Sequence, residues 1–268
     1  LHDTVAVVTG AASGIGQACA QALAQHGSQV IIVDRDEIAA APVVEVINDT
    51  GSSAMAVPVD VVDPAAFTIV RDAALDRFGR IDIVINNVGV ITSGLPENIP
   101  MSEWQRVIDI NLLSLVRSNG TFVPMLLAQG RGHIVNTASF AGLFTYSYDR
   151  MPYSATKAAI VQVTEGLAIY LRPKGVGVTL LCPGPVMTNI ARDRRQFGSL
   201  PALVTPGEQF ALLTPDTVGA MVVEAILANT FFVATHPHVK ELLARRVEDW
   251  DGFIDWQIAR DADREHSR

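Results

Sequence analysis

Two side chains four residues apart, Tyr153 and Lys157, are the first in this sequence that could do chemistry together. On a helix that spacing puts both on one face, so both can reach one substrate. A free phenol has a pKa of about 10, too high for an efficient base near neutrality. A neighbouring ammonium favours the phenolate, and the pair then suits proton transfer to or from the oxygen of an alcohol or carbonyl. Ser139 stands fourteen residues before Tyr153 at the end of an apolar run, where its hydroxyl can bond the same oxygen and steady developing charge. A turn or helix-cap serine is the plainer reading of that residue. The chain carries its own control for the spacing, because Tyr170 and Lys174 repeat it. Pro173 marks a helix end there and no serine follows a strand before it, so that copy reads as structural.

A second constellation lies near the start, where an apolar run ends in Thr9-Gly10-Ala11-Ala12-Ser13-Gly14-Ile15-Gly16 and a helical pattern follows. Glycine lets a backbone turn tightly and approach a pyrophosphate, while the free amides of a helix start hold negative charge. The spacing is G-x-x-x-G-x-G rather than G-x-G-x-x-G, and an ordinary strand-to-helix turn is the plainer alternative. Eighteen residues after Gly16, Asp34 ends the next apolar run, where a carboxylate would bond the ribose of a dinucleotide and repel a 2′-phosphate. The expected cofactor is therefore NAD rather than NADP. Arg35 follows at once and is the one nearby residue that could instead meet a phosphate.

These residues need a frame. Valine- and isoleucine-rich runs at Thr4–Thr9, Gln29–Asp34, Ala54–Pro58, Ile81–Asn86, His133–Thr137, Gly177–Leu181 and Phe231–Thr235 alternate with amphipathic stretches. Helices are predicted at Ile15–His26, Glu37–Asp49, Pro64–Phe78, Ser102–Gln129, Tyr153–Leu171 and Pro215–Leu227. That alternation predicts an α/β, Rossmann-type, doubly wound parallel sheet of seven strands, with its ligand site beyond the carboxyl ends of the strands. One domain spanning 1–268 is expected, with a substrate lid at 188–213 and a helical tail at 238–268.

With 49% apolar and 18% charged residues, the chain has material for a large core and no sign of disorder. A net charge of -8 argues against general affinity for nucleic acid or anionic membrane. Arg192, Arg194 and Arg195 cluster beside Asp193 and read as a solvated face. Cys19 and Cys182 have no pair spacing and are expected to be buried thiols. The histidines lack metal-ligand spacing, His236 and His238 reading as turn residues, and no catalytic metal is expected. No G-x-S-x-G elbow is present, which leaves a serine nucleophile unsupported. No apolar stretch is long enough to span a membrane, and the first strand leaves no room for a signal peptide, so a cytoplasmic location is expected. The start at Leu1 leaves a removed leader open.

The motifs together resemble those of the short-chain dehydrogenase/reductase family, from Thr4 to Thr235 and in the family's order. Gly10, Gly14 and Gly16 are followed by Asp60 and Val61, which the resemblance sets against an adenine. Asn86-Asn87-Val88-Gly89, Asn111, Ser139, Tyr153, Lys157 and Pro183-Gly184-Pro185-Val186-Met187-Thr188 follow. Val88 departs from the usual alanine, adding volume beside the cofactor without removing a chemical group. The resemblance implies that Ser139, Tyr153, Lys157 and Asn111 are catalytic, with Asn111 bending its helix and holding a water that links Lys157 to solvent. It also implies that Thr188 binds the nicotinamide carboxamide, that the backbone near Val186 selects the ring face, and that Asn87 braces the sheet. Homotetramers or homodimers built through the long helices 102–129 and 153–171 are implied as well.

Phe140, Leu143, Phe144, Tyr146, Val186, Met187 and the segment Leu203–Leu213 are mostly apolar, suggesting a hydrophobic pocket. With Ser139 and Tyr153 they imply a small-molecule secondary alcohol or its ketone, apolar or aromatic/cyclic, as the partner. Two rival readings remain at this point: an NADPH-dependent reductase of oxoacyl substrates, and a nucleotide-binding scaffold without turnover.

Overall fold

The computed structural model describes residues 1–192, 194–199, 206–207 and 210–266, with side chains described no further than 260. Asp193, Leu203 and the rest of 200–205 and 208–209 within the expected substrate cover 188–213, and the last two residues of the expected tail, lie outside the described residues.

Seven parallel strands form the main sheet: β1 (Val5–Thr9), β2 (Gln29–Asp34), β3 (Ala54–Pro58), β4 (Ile83–Asn86), β6 (Gly132–Thr137), β7 (Val176–Cys182) and β9 (Phe232–Ala234). Their order is β3-β2-β1-β4-β6-β7-β9, so the chain winds outward from β1 and then returns to β4 beside it. This is a Rossmann-type sheet, and the reversal between β1 and β4 opens a crevice at the strands' carboxyl ends. The strands are apolar nearly throughout because both faces are covered. Ala6, Val8, Val30 and Ile32 pack under α1 (Gly14–Gln25), α2 (Glu37–Asp49) and α8 (Pro215–Leu227). Their neighbours Val5, Val7, Ile31 and Val33 point the other way, toward α3 (Ala66–Phe78) and Phe122 of α5 (Ser114–Gln129).

Two features differ from the sequence reading. The expected helix 102–129 is three pieces: α4 (Met101–Ile108), a π-helical turn at Asp109–Leu113, and α5. Such widened turns gather at functional sites, and Asn111 sits in this one. The segment after Pro183, read as strandless, contains β8 (Arg195–Phe197), which pairs in parallel with β5 (Thr92–Gly94) as a separate two-stranded sheet. The remaining helices are α6 (Phe140–Leu143), α7 (Met151–Leu171), α9 (Val239–Glu248) and α10 (Trp250–His266). Among the described residues no helix is long and apolar enough to cross a membrane.

Candidate active site

The glycine turn sits where β1 meets α1, with Gly10 and Gly14 at φ of +64° and +57°, values that disfavour other residues. A β-carbon on Gly16 would lie 2.2 Å from the Gly10 carbonyl oxygen and 2.7 Å from Asn87 Nδ2, so the turn closes only with glycine there. Ser13 takes the N-cap position without a side-chain bond, leaving the amides around Ile15 to face the crevice without a side-chain cap. Asp34 accepts from the Ala12 amide (3.1 Å) and the Asp36 amide (3.2 Å), which fixes its half-buried carboxylate beside the turn, with Arg35 exposed next to it. Thr188 stands across from Gly14, whose added β-carbon would meet its methyl at 3.3 Å. A cradle of amides, a carboxylate one strand away and a facing threonine fit a dinucleotide.

Further along, Asp60 is exposed after β3 and Val61 is buried in the core. Asn87 bonds Thr9 twice, its amide to the hydroxyl (2.9 Å) and its Nδ2 to the carbonyl (3.3 Å), so it ties β4 to β1. Pro183 and Gly184 are held by the Phe140 amide (2.9 Å) and the Thr235 hydroxyl (2.9 Å). Val186 bridges to Leu213, which brings the two ends of the 188–213 segment together.

Ser139, Tyr153, Lys157 and Asn111 are all buried, and Lys157 and Asn111 meet at Gly89. Ser139 caps α6, accepting from the Ala141 amide (3.2 Å), and its hydroxyl is near enough to the Tyr153 phenol to favour the phenolate. The capping role and the closeness to Tyr153 therefore coexist. Lys157 donates to the Thr137 carbonyl (2.7 Å), and its Nζ lies 5.7 Å from the Tyr153 ring centre. Burial pulls the ammonium down to about 8. Asn111 is locked by its side chain: Oδ1 accepts from the Val90 amide (2.8 Å), while Nδ2 donates to the Val90 carbonyl (3.0 Å) and Thr156 Oγ1 (3.2 Å). The second Tyr/Lys pair is unlike this: Lys174 lies 3.7 Å over the exposed Tyr170 ring at the end of α7.

Burial drives the Tyr153 phenol well above its ordinary value; Tyr146 adds to this, and the Ser139 bond and the Arg150 guanidinium oppose it. Arg150, which no sequence motif singles out, is thus a cation that favours the phenolate here. Cys182, at the end of β7, is pushed up to about 12 by burial and stays a neutral thiol.

Around the chemistry, Phe140 and Phe144 are buried and pack edge-on with Phe210 (5.2 Å) and Phe253 (6.2 Å) respectively. Leu143 and Tyr146 are partly exposed against the same cluster. His236 is no bare turn residue, since its ring bonds Thr235 (2.9 Å) and the Ala211 carbonyl (2.7 Å). The tail clasps the loop before Tyr153: Arg246 donates to the Leu143 carbonyl, Gln257 to Thr145 (2.9 Å) and Arg260 to Tyr146 (3.2 Å). Arg195 departs from the solvated face expected of its cluster. It pairs at 2.6 Å with buried Glu103, which also takes Arg106 (2.9 Å) and Thr92 (2.9 Å). Burial alone would raise that carboxyl, but the bonds from Arg195, Arg106 and Thr92 outweigh it and hold it low. The start of the 188–213 segment is thereby strapped to β5.

A CLA biosynthesis dehydrogenase/reductase of Lactiplantibacillus plantarum is 32% identical over 92% of both chains. The trans-4-hydroxycyclohexanecarboxylate dehydrogenase of Sinomonas cyclohexanicum is 36% identical over 74% of this chain and 79% of its own. A short chain dehydrogenase/reductase from Burkholderia phymatum, solved in complex with NAD, superposes with a TM-score of 0.83 at 33% identity, covering 93% of this chain and 95% of that one. Residues 4–198 match the family model described as short chain dehydrogenase, and on that match and these likenesses the chain belongs to the short-chain dehydrogenase/reductase family of oxidoreductases.

Proposed function

We propose that the protein is an NAD-dependent dehydrogenase/ketoreductase of a secondary alcohol or its ketone, apolar or cyclic, working through Ser139, Tyr153, Lys157 and Asn111. The observation that carries this reading is buried Lys157, its Nζ 5.7 Å from the ring centre of buried Tyr153, with Ser139 near the phenol and the glycine turn on the same sheet. Gly10, Ser13, Gly14, Ile15 and Gly16 would hold the pyrophosphate of the cofactor, and Asp34 the adenosine ribose, with Arg35 alongside. Asp60 and Val61 would border the adenine, though Val61's burial limits it to backbone contact. Asn87, Val88 and Gly89, with Pro183, Gly184, Val186 and Thr188, would line the nicotinamide side, which Tyr153 and Lys157 also reach. When bound, the nicotinamide ring accepts or returns the hydride.

The chain's own residues do the rest. Tyr153 moves the proton at the substrate oxygen, and Ser139, near the phenol, donates to that same oxygen as charge develops. Lys157 contributes positive charge and passes the proton onward, with Asn111 holding the Val90 backbone and Thr156 in place below it. Phe140, Leu143 and Phe144 build the apolar wall. The Sinomonas relative, named for a hydroxylated cyclohexane ring, supports a cyclic alcohol. The segment 188–213 is the cover of this pocket in the same reading.

An absorbance screen at the NADH band over secondary alcohols of graded size and aromaticity tests the proposal, run in parallel with NAD and NADP. Turnover is expected with NAD on a cyclic member of the series, and replacing Asp34 with alanine should erode the preference for NAD over NADP. No turnover with either cofactor across the panel, despite NAD binding, would instead support a silent nucleotide-binding scaffold; unaltered discrimination in the variant removes Asp34 from its role.

The same reading includes a homotetramer or homodimer built through α5 and α7, supported by exposed Val116, Ile169 and Tyr170 on those helices. Light scattering should give two or four times the chain mass of 28.7 kDa. A monomer at micromolar concentration rejects the oligomer.

A further inference from the structure

We propose that the C-terminal helices set which alcohol the site accepts: Arg246 and Gln257 are specificity-determining positioning residues that hold the connector Leu143–Tyr146 as a fixed wall between Ser139 and Tyr153. This rests on the reading of Leu143 and Phe144 as the apolar wall of the pocket given above.

The connector runs from the end of α6, which Ser139 caps, to the 3-10 turn Tyr148–Arg150 that enters α7 just before Tyr153. Between those turns its carbonyl groups belong to no helix or strand ladder, and such groups take side chains or water as partners. Here the side chains come from one place. Arg246 of α9 donates to the Leu143 carbonyl, Gln257 of α10 to Thr145 (2.9 Å) and Arg260 of α10 to Tyr146 (3.2 Å). Phe144 is held by its ring instead, which meets buried Phe253 of α10 edge-on at 6.2 Å. Every residue from 143 to 146 is thus tied to the tail, more than a hundred residues further along the chain.

The tail is itself fixed. Trp256 of α10 packs on Phe253 (5.5 Å), and the guanidinium carbon of Arg245 from α9 stands 4.5 Å from its ring centre. The Arg246 guanidinium carbon lies 4.0 Å from the Trp250 ring centre, so its fork reaches Leu143 from a stacked position. α10 leaves Trp250, Ile254 and Ile258 at least 46% exposed, so burying apolar surface is only part of its work. Its polar side chains converge on one stretch of backbone. Leu143 and Phe144 stand where that backbone carries them. A substrate ring wide enough to fill the pocket is oriented by this wall, whereas a small acyclic alcohol is oriented mainly by Ser139 and Tyr153.

The test compares cyclohexanol with 2-propanol in full-length Gln257→Leu and Arg246→Met, which delete a donor and keep most of the side-chain volume. In each variant kcat/KM for cyclohexanol relative to 2-propanol should fall by about fivefold, the worth of one lost hydrogen bond, and further in the double variant. Arg246→Lys keeps a donor and should restore most of the ratio. NAD affinity by titration calorimetry should stay within about twofold, because the glycine turn lies on distant elements. Amide hydrogen exchange reads the connector without turnover: the amides of 144–146 should exchange about tenfold faster in the variants. Val247→Ala, 80% exposed on α9, is the control and should change neither quantity. Faster exchange with an unchanged ratio would make the tail a mere brace and overturns the inference, as does unchanged exchange or an equal change in the control. Each of these outcomes leaves the dehydrogenase reading intact. A wild-type protein that binds NAD but oxidises neither alcohol overturns that reading and the inference with it.

Discussion

Replacing Tyr153 with phenylalanine should lower turnover by about 10²–10⁴-fold, the range that general acid–base catalysis contributes. The substitution removes one oxygen and keeps the ring, so packing around this 6%-exposed side chain changes little. NADH affinity, followed by its fluorescence, should stay within about twofold, because the phosphate-side contacts lie on other elements. The control is internal to the chain: Tyr170→Phe removes an exposed phenol with the same lysine spacing and should change neither quantity. A Tyr153→Phe enzyme retaining a third of wild-type turnover would show that some other group moves the proton. Equal loss in both variants would point to general damage rather than chemistry.

Alanine at Gly16 should cut NAD affinity by roughly 5- to 150-fold, the equivalent of the ~1–3 kcal/mol that overpacking typically costs. The new methyl would sit 2.2 Å from a carbonyl oxygen and 2.7 Å from Asn87, and neither is the loose end of a flexible chain. Relief requires the Gly10 peptide to move, and that peptide opens the turn facing the pyrophosphate. Asn87 would be displaced with it, loosening its two bonds to Thr9. Gly120, exposed on α5 with no atom near its missing β-carbon, provides the contrast. Alanine there should leave NAD binding unchanged and raise the melting temperature slightly, since alanine is the better helix former. Wild-type affinity at Gly16→Ala, measured by titration calorimetry, would mean that the turn does not cradle the cofactor.

The frame was readable because burial on both faces writes long valine and isoleucine runs, and all seven strands of the main sheet left that trace. The glycine turn, Asp34 and the Tyr153–Lys157 pair were readable because their spacing is local to one turn or one helix face. What escaped has no such local signature. β5 and β8 are three residues each, Thr-Ser-Gly and Arg-Gln-Phe, and pair only with each other, so neither shows alternation. The anchoring of Arg195 depends on Glu103, ninety-two residues away in sequence. Asp149 and Arg150 look like solvated loop charges between two tyrosines, and only the packing of Tyr146 above them reveals a buried pair. Phe140 and Phe144 were legible as apolar but not as an edge-on aromatic cluster closed by Phe210 and Phe253, contributed from far along the chain.

The π-helical turn at Asp109–Leu113 has one more implication. The residues that α4, the turn and α5 bury include Glu103, Val107, Asn111, Leu115, Phe122 and Leu126. At about 100° per residue an unbroken α-helix would carry that stripe about 140° around its axis between Glu103 and Leu126. One widened turn absorbs a residue and rotates the second half back by roughly 100°. It behaves as a phase correction, letting a single rod offer Asn111 to Val90 and Thr156, and Phe122 and Leu126 to the interior. The same number of residues wound as an unbroken α-helix would have to forgo one of those two alignments.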